Sequence, residues 1–183
     1  MLNCMAAGRM GRTQGRNRGV KRRTSILSVG VLLGAALMLV MAGTPATAAE
    51  GKEVIEKRIA LMKGGVLKNF LYVKKFAKEG KGTAAGVNAH AHLLNAASKE
   101  IVALFPKGTG RGDFDDKTTR SVAKIWEDWD DFKKAAEGLT RESAKLAEVA
   151  AGGDKDAIAA QFGKTGKIGC GGCHKPFRGA KVK

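Results

Sequence analysis

The chain has 183 residues, with 33 Lys and Arg against 17 Asp and Glu, three Cys and three His, and a formal net charge of +16. That length fits one domain after a leader, and so few cysteines exclude a disulfide-stapled scaffold. The basic residues are spread along the chain rather than clustered, which argues against a nucleic-acid partner.

Arg9, Arg12, Arg16, Arg18, Lys21, Arg22 and Arg23 form a basic n-region without a single acid. Ile26 to Ala42 follow as an apolar stretch, and Ala46-Thr47-Ala48 is a small-x-small cleavage pattern. Residues 1–48 therefore read as a cleaved secretory signal peptide, and 49–183 as the retained domain. A retained membrane anchor is the competing reading, because the stretch is close to the minimum spanning length. Met5 or Met10 could be the true start, and Cys4 is discarded with the leader in either case. From residue 49 on, 26 basic residues face 17 acidic ones, a net +9. This charge favours acidic protein partners or anionic membrane surfaces.

Four helices are predicted in the retained part. In the first, Lys52 to about Glu79, the residues Ile55, Ile59, Met62, Val66, Phe70 and Val73 recur at helical steps. Gly80-Lys81-Gly82 ends it, and Thr83 is placed to cap the second. On the second, Val87, His90, Leu94, Ile101 and Phe105 share a side until Pro106 stops the run. Residues 107–117 read as a polar crossover loop. The third carries the cleanest stripe: Val122, Ile125, Trp129, Phe132, Ala136, Leu139, Ser143 and Leu146. Gly152-Gly153 breaks it, Asp154 caps the fourth, and Ile158 and Phe162 follow. Hairpin signals are missing, so the expected fold is all-α, an antiparallel four-helix bundle.

Near the C-terminus stands Cys170-Gly171-Gly172-Cys173-His174, the Cys-x-x-Cys-His pattern of covalent haem c attachment. Two thiols about one helical turn apart add across two vinyl groups on one porphyrin edge, and the adjacent imidazole reaches the iron. A zinc site would require a second Cys/His cluster, and a thioredoxin-like pair a βαβ pattern; the sequence has neither. One covalent haem c is expected, with His174 as proximal ligand. Attachment takes place outside the bacterial cytoplasmic membrane, so export and haem support a periplasmic location. For the sixth position, Met62 on the core stripe competes with His90, whereas His92 points away. Arg58, one turn before Met62, shares its side and invites a buried anion such as a haem propionate. Its replacement is expected to lower the haem potential more than the stability. Arg178, one turn beyond His174, can stack near the haem or bind a propionate.

These residues resemble the class II c-type cytochromes, which include cytochrome c′ and its low-spin relatives. The resemblance rests on the C-terminal Cys170-x-x-Cys173-His174 with Phe177-Arg178, and on Arg58-x-x-x-Met62-Lys63. Leu104-Phe105-Pro106 and Ile125-Trp126 add to it, and it covers the whole retained chain. In five-coordinate members an apolar or aromatic residue at the Met62 position blocks the iron; in low-spin relatives a Met there ligates it. The resemblance implies His174/Met62 ligation, Arg58 near a propionate, Trp126 near the haem, and homodimers paired through the first two helices. The main functional expectation is a single-electron carrier for redox partners with acidic docking surfaces. The alternative is a five-coordinate haem that binds or scavenges nitric oxide or carbon monoxide. An enzyme such as a peroxidase would require a distal acid–base residue beyond His90, so no enzyme is expected.

Overall fold

A computed structural model describes residues 48–182, so the n-region, the apolar stretch and the leader as far as Thr47 lie outside the described residues. The first helix runs from 48 to 79 as Ala48–Ala60, a π-helical turn at Leu61–Leu67, and Lys68–Glu79. Within that turn the Lys68 N–H bonds to Lys63 O, five residues back instead of four. The extra residue rotates the apolar face, and the buried positions become Ile55, Arg58, Val66, Asn69, Val73 and Phe76. Ile59, expected in the core, is 39% exposed because Arg58 takes its place on the inward side. Gly80 ends the helix in the left-handed region, at φ 67°.

Thr83 caps the second helix, Ala84–Lys99, and its hydroxyl accepts from Gly86 N–H at 3.0 Å. The chain then tightens into a single 3₁₀ turn, Val102–Leu104. The crossover loop is not simply polar and solvated: Thr109 is fully buried, and Thr119 and Ser121 are nearly so. The third helix begins at Lys124 rather than Val122 and is interrupted at Asp128 before Trp129–Ala151. Val122 instead lies in extended chain, and its N–H reaches Phe177 O. Asp154 caps the fourth helix by accepting from Asp156 and Ala157 N–H. That helix continues as Lys155–Lys164, a second π turn Thr165–Cys170, and Gly171–Phe177. Pro176 sits in the last turn, where the helix is already closing.

Short turns at 80–83 and 152–154 make sequential neighbours antiparallel, and no named strand is present among the described residues. The second and third helices share the most extensive packing. Two apolar clusters fill the bundle. One joins Val73, Phe76, Val87, Leu146, Ile158 and Phe162 near the short turns. The other joins Val66, Leu94, Ile101, Phe132, Leu139 and Phe177, with Met62, Trp126 and Trp129 packed against it. Gly169 lets the fourth helix approach the third: a Cβ there would lie 2.7 Å from Leu139 Cδ1 and 3.1 Å from its Cα. Gly169→Val should destabilise the bundle by about 1–3 kcal/mol, the usual range for overpacking. Urea denaturation checks this, and an unchanged midpoint would show that the two helices are free to separate there.

Candidate haem site

Cys170 closes the second π turn, and Cys173 and His174 follow on the next turn of the same helix. The turn is tied to the third helix by Thr165, whose hydroxyl meets Glu142 O at 3.3 Å and Gln161 O at 2.9 Å. Both cysteines are half-buried. Before attachment, burial pushes both thiols up, Cys173 to about 11 with the neighbouring Cys170 adding to the effect, so they are protonated at neutral pH until haem is joined to them. The His174 imidazole is held below its ordinary value, first by burial and then by the Arg178 and Arg120 charges. It is therefore neutral at pH 7, as an iron ligand must be. Arg178 Nη1 lies 3.3 Å from His174 Nδ1. Binding of a metal through Nε2 requires the proton on Nδ1, so in that state Arg178 acts on the ring as a neighbouring positive charge and not as a hydrogen-bond donor.

The donor set suits haem c. No three His, Cys, Asp or Glu side chains among the described residues converge as ligands for one ion, which sets the two thiols and the imidazole apart from a zinc cluster. Thiols one turn apart beside a separate imidazole match two vinyl carbons and an iron. Phe177, three residues after His174, belongs to the same apolar cluster that Met62 packs against. Two clefts, of about 430 and 370 Å³, belong to other surfaces, and neither is lined by the cysteines, His174 or Met62.

Arg58 is 5% exposed, and its partners are not anionic. Nε donates to Leu104 O at 2.9 Å, and Nη1 to Thr109 O at 3.2 Å and Ser121 Oγ at 2.8 Å. Nη2 donates to Thr109 Oγ1 at 2.7 Å, and that hydroxyl donates onward to Pro106 O. The guanidinium also lies 3.9 Å over the Phe105 ring. Burial without an acid lowers its pKa to about 10, so it remains charged at pH 7. Of its five N–H donors, three thus serve the crossover loop and one serves Leu104 at the end of the second helix. Arg58 ties the first helix to the end of the second and to the crossover loop, a structural role that its place on the helical stripe did not announce.

Trp126 is placed against the same loop: its indole N–H donates to Phe105 O at 2.9 Å, and its ring lies over Gly110. Beyond Arg178 the tail is latched by the same region. Gly179 N–H meets Arg120 O, and Arg120 returns two N–H groups to Gly179 O. Arg111 donates to Ala180 O. His90 is half-buried, its ring stacked on Tyr72 and bonded to Asn69, whereas His92 is exposed as expected. Thr109, Ser121, Arg120 and Asn69 had no signal in the sequence, because polar residues folded inward from a loop or at a π turn follow no period.

Arg58→Leu should lower stability by roughly 2–4 kcal/mol, since Thr109 and Ser121 would lose a charged partner in a buried setting. Arg58→Lys should recover little of it, because a point charge cannot span three elements as the planar fork does. Thermal melting of both variants checks this, and a fully stable Arg58→Leu would return Arg58 to an ordinary surface role.

A protein-family model described as Cytochrome C′ matches residues 53–178. A curated cytochrome c′ from Cereibacter sphaeroides is 35% identical over 150 residues, 78% of this chain and 95% of the relative. Matches to other curated cytochromes c′ span 56–68% of those proteins' lengths. Among solved structures, a nitric oxide complex of a point mutant of cytochrome c prime from Alcaligenes xylosoxidans has a TM-score of 0.63 at 25% identity. That match covers 74% of this chain and all of the other. A cytochrome c′ described by its ligand-controlled dimer dissociation has a TM-score of 0.62 at 30% identity, covering 71% and 97%.

Proposed function

The chain belongs to the cytochrome c′ family, which carries one covalent haem c, and from that membership we propose that it binds a small diatomic gas, nitric oxide or carbon monoxide, in the periplasm. The observation that carries this reading is its likeness, over the whole length of the other chain, to a cytochrome c prime solved with nitric oxide. Haem joined to Cys170 and Cys173 supplies an iron able to bind such a ligand or to change its charge by one electron. His174, kept neutral by burial and by Arg178 and Arg120, is the protein ligand. Met62, half-buried on the first π turn and packed against the cluster that contains Phe177, would screen the sixth position rather than bond to the iron. Arg58 and Trp126 shape the loop beside the site. The remaining Nη2 N–H of Arg58 and the Arg178 guanidinium are the donors for the propionates. In this reading the protein is a binding module, not an enzyme.

The second reading, an electron carrier with His174/Met62 ligation and acidic redox partners, rests on the thioether at that position and on the +9 charge of residues 49–183. Homodimer formation is part of the proposal in either case. Ile59, Leu67, Leu71 and Leu93 are 39–56% exposed on the first two helices, and a second copy would cover them. No helix among the described residues is long and apolar enough to cross a membrane. In the proposal the leader is removed near residue 49 and leaves no anchor.

Carbon monoxide uptake by the reduced holoprotein separates the two readings. Wild type should bind it without displacing a protein ligand, and Met62→Ala should accelerate binding roughly tenfold, equivalent to about 1.4 kcal/mol of steric screening. Wild type that refuses carbon monoxide until Met62 is removed would establish the electron-carrier reading instead.

A further inference from the structure

Asn69 and His90 have no part in the reading so far, yet they join the first two helices at the end of the first π turn. Asn69 is 6% exposed within a helix, a position where its residue type is a poor choice unless its amide is fully used. Its Nδ2 donates to Gly65 O at 2.6 Å, the carbonyl four residues back and inside the π turn. That leaves Oδ1 as an acceptor, so the Nδ1 atom of His90, 2.7 Å away, carries the proton and donates it. The His90 ring is in turn stacked on Tyr72, with centroids 3.9 Å apart and planes at 22°. Tyr72 is itself seated against Gly82 and Gly86, where any side chain would collide with it.

The turn braced in this way contains Met62. Its centre is Gly64-Gly65, weak helix formers that offer little resistance to a change of winding. Reverting the π turn to α-helical winding would shift the register by one residue, a rotation of about 100° between the parts on either side. Arg58 and Met62 lie before its middle, and Val66 and Val73 after it. Their relative orientation therefore depends on the wide turn being kept. We propose that Asn69 and His90 are positioning residues for the sixth coordination position: they hold the π turn open and so fix where Met62 stands. The proposal rests on the reading of Met62 as the side chain over the iron.

The test uses the holoprotein and two readouts, carbon monoxide association after reduction and hydrogen exchange of the amides from 63 to 70. His90→Phe keeps a ring on Tyr72 but removes the donor. It should speed exchange in the turn and change the association rate severalfold in the same direction as Met62→Ala. His90→Asn, which can present an N–H near the position of Nδ1, should stay near wild type in both. His92→Phe, on the exposed side, should alter neither. If Met62→Ala changes the association rate and His90→Phe leaves it at the wild-type value, the brace has no hold on Met62 and the proposal is overturned. It is equally overturned if His90→Asn is as perturbed as His90→Phe, since packing rather than the hydrogen bond would then be responsible. If Met62→Ala itself changes nothing, the reading of Met62 fails, a result that exchange in the turn distinguishes from failure of the brace.

Discussion

A charged guanidinium met by neutral groups among the described residues is buried where three segments of the chain meet, and the path of the crossover loop depends on how it is satisfied. Arg58 belongs to the first helix, but its hydrogen bonds go to Leu104 at the end of the second and to Thr109 and Ser121 in the crossover loop. Neutral carbonyls and hydroxyls can stabilise a buried cation only if several converge on it, which fixes the loop's path. Ser121, held in that way, forms an isolated antiparallel bridge with Arg178, and Arg178 lies against His174. The loop thus connects the helix that carries Met62 with the residues next to the proximal ligand. Its conformation is part of the site even though no loop residue needs to touch the iron.

The other constraint is winding. The first and fourth helices both depart from α geometry, one at Leu61–Leu67, which contains Met62, and one at Thr165–Cys170, just before Cys173. A π turn changes which residues face inward, and it leaves carbonyls in need of donors. Asn69 meets that need in the first helix, and Thr165 and Gln161 anchor the second wide turn to Glu142. Outside these turns the bundle is conventional, with caps at Thr83 and Asp154 and a continuous apolar seam on the third helix.

The sequence revealed the parts that follow a period or a fixed local pattern. The four helices, the caps at Thr83 and Asp154, the breaks at Gly80 and Gly152-Gly153, and the buried run Ile125, Phe132, Ala136, Leu139 and Leu146 were all readable from spacing. Cys170, Cys173 and His174 could be read because covalent attachment demands one spacing. The exposure of Ile59 could not, since Ile59 and Arg58 are both at helical spacing from Ile55 and an apolar stripe favours the isoleucine, whereas the buried residue is Arg58. Nor could the inward fold of Thr109 and Ser121, because their burial is dictated by Arg58, 51 and 63 residues away. Ligation by Met62 was implied by the family resemblance, and spacing alone left it open against His90. A Met on a core stripe fills space or binds iron with the same periodicity, and only the iron's own behaviour tells the two apart.

The central claim is that His174 is the only protein atom bound to iron and that Met62 screens the opposite face without bonding to it. The electronic state of the ferric protein at neutral pH, recorded by electron paramagnetic resonance together with the near-infrared absorption, tests this most directly. A five-coordinate iron predicts a spectrum dominated by high-spin signals and no sulfur-to-iron charge-transfer band. A low-spin spectrum carrying that band would contradict it, and would place the Met62 sulfur on the metal.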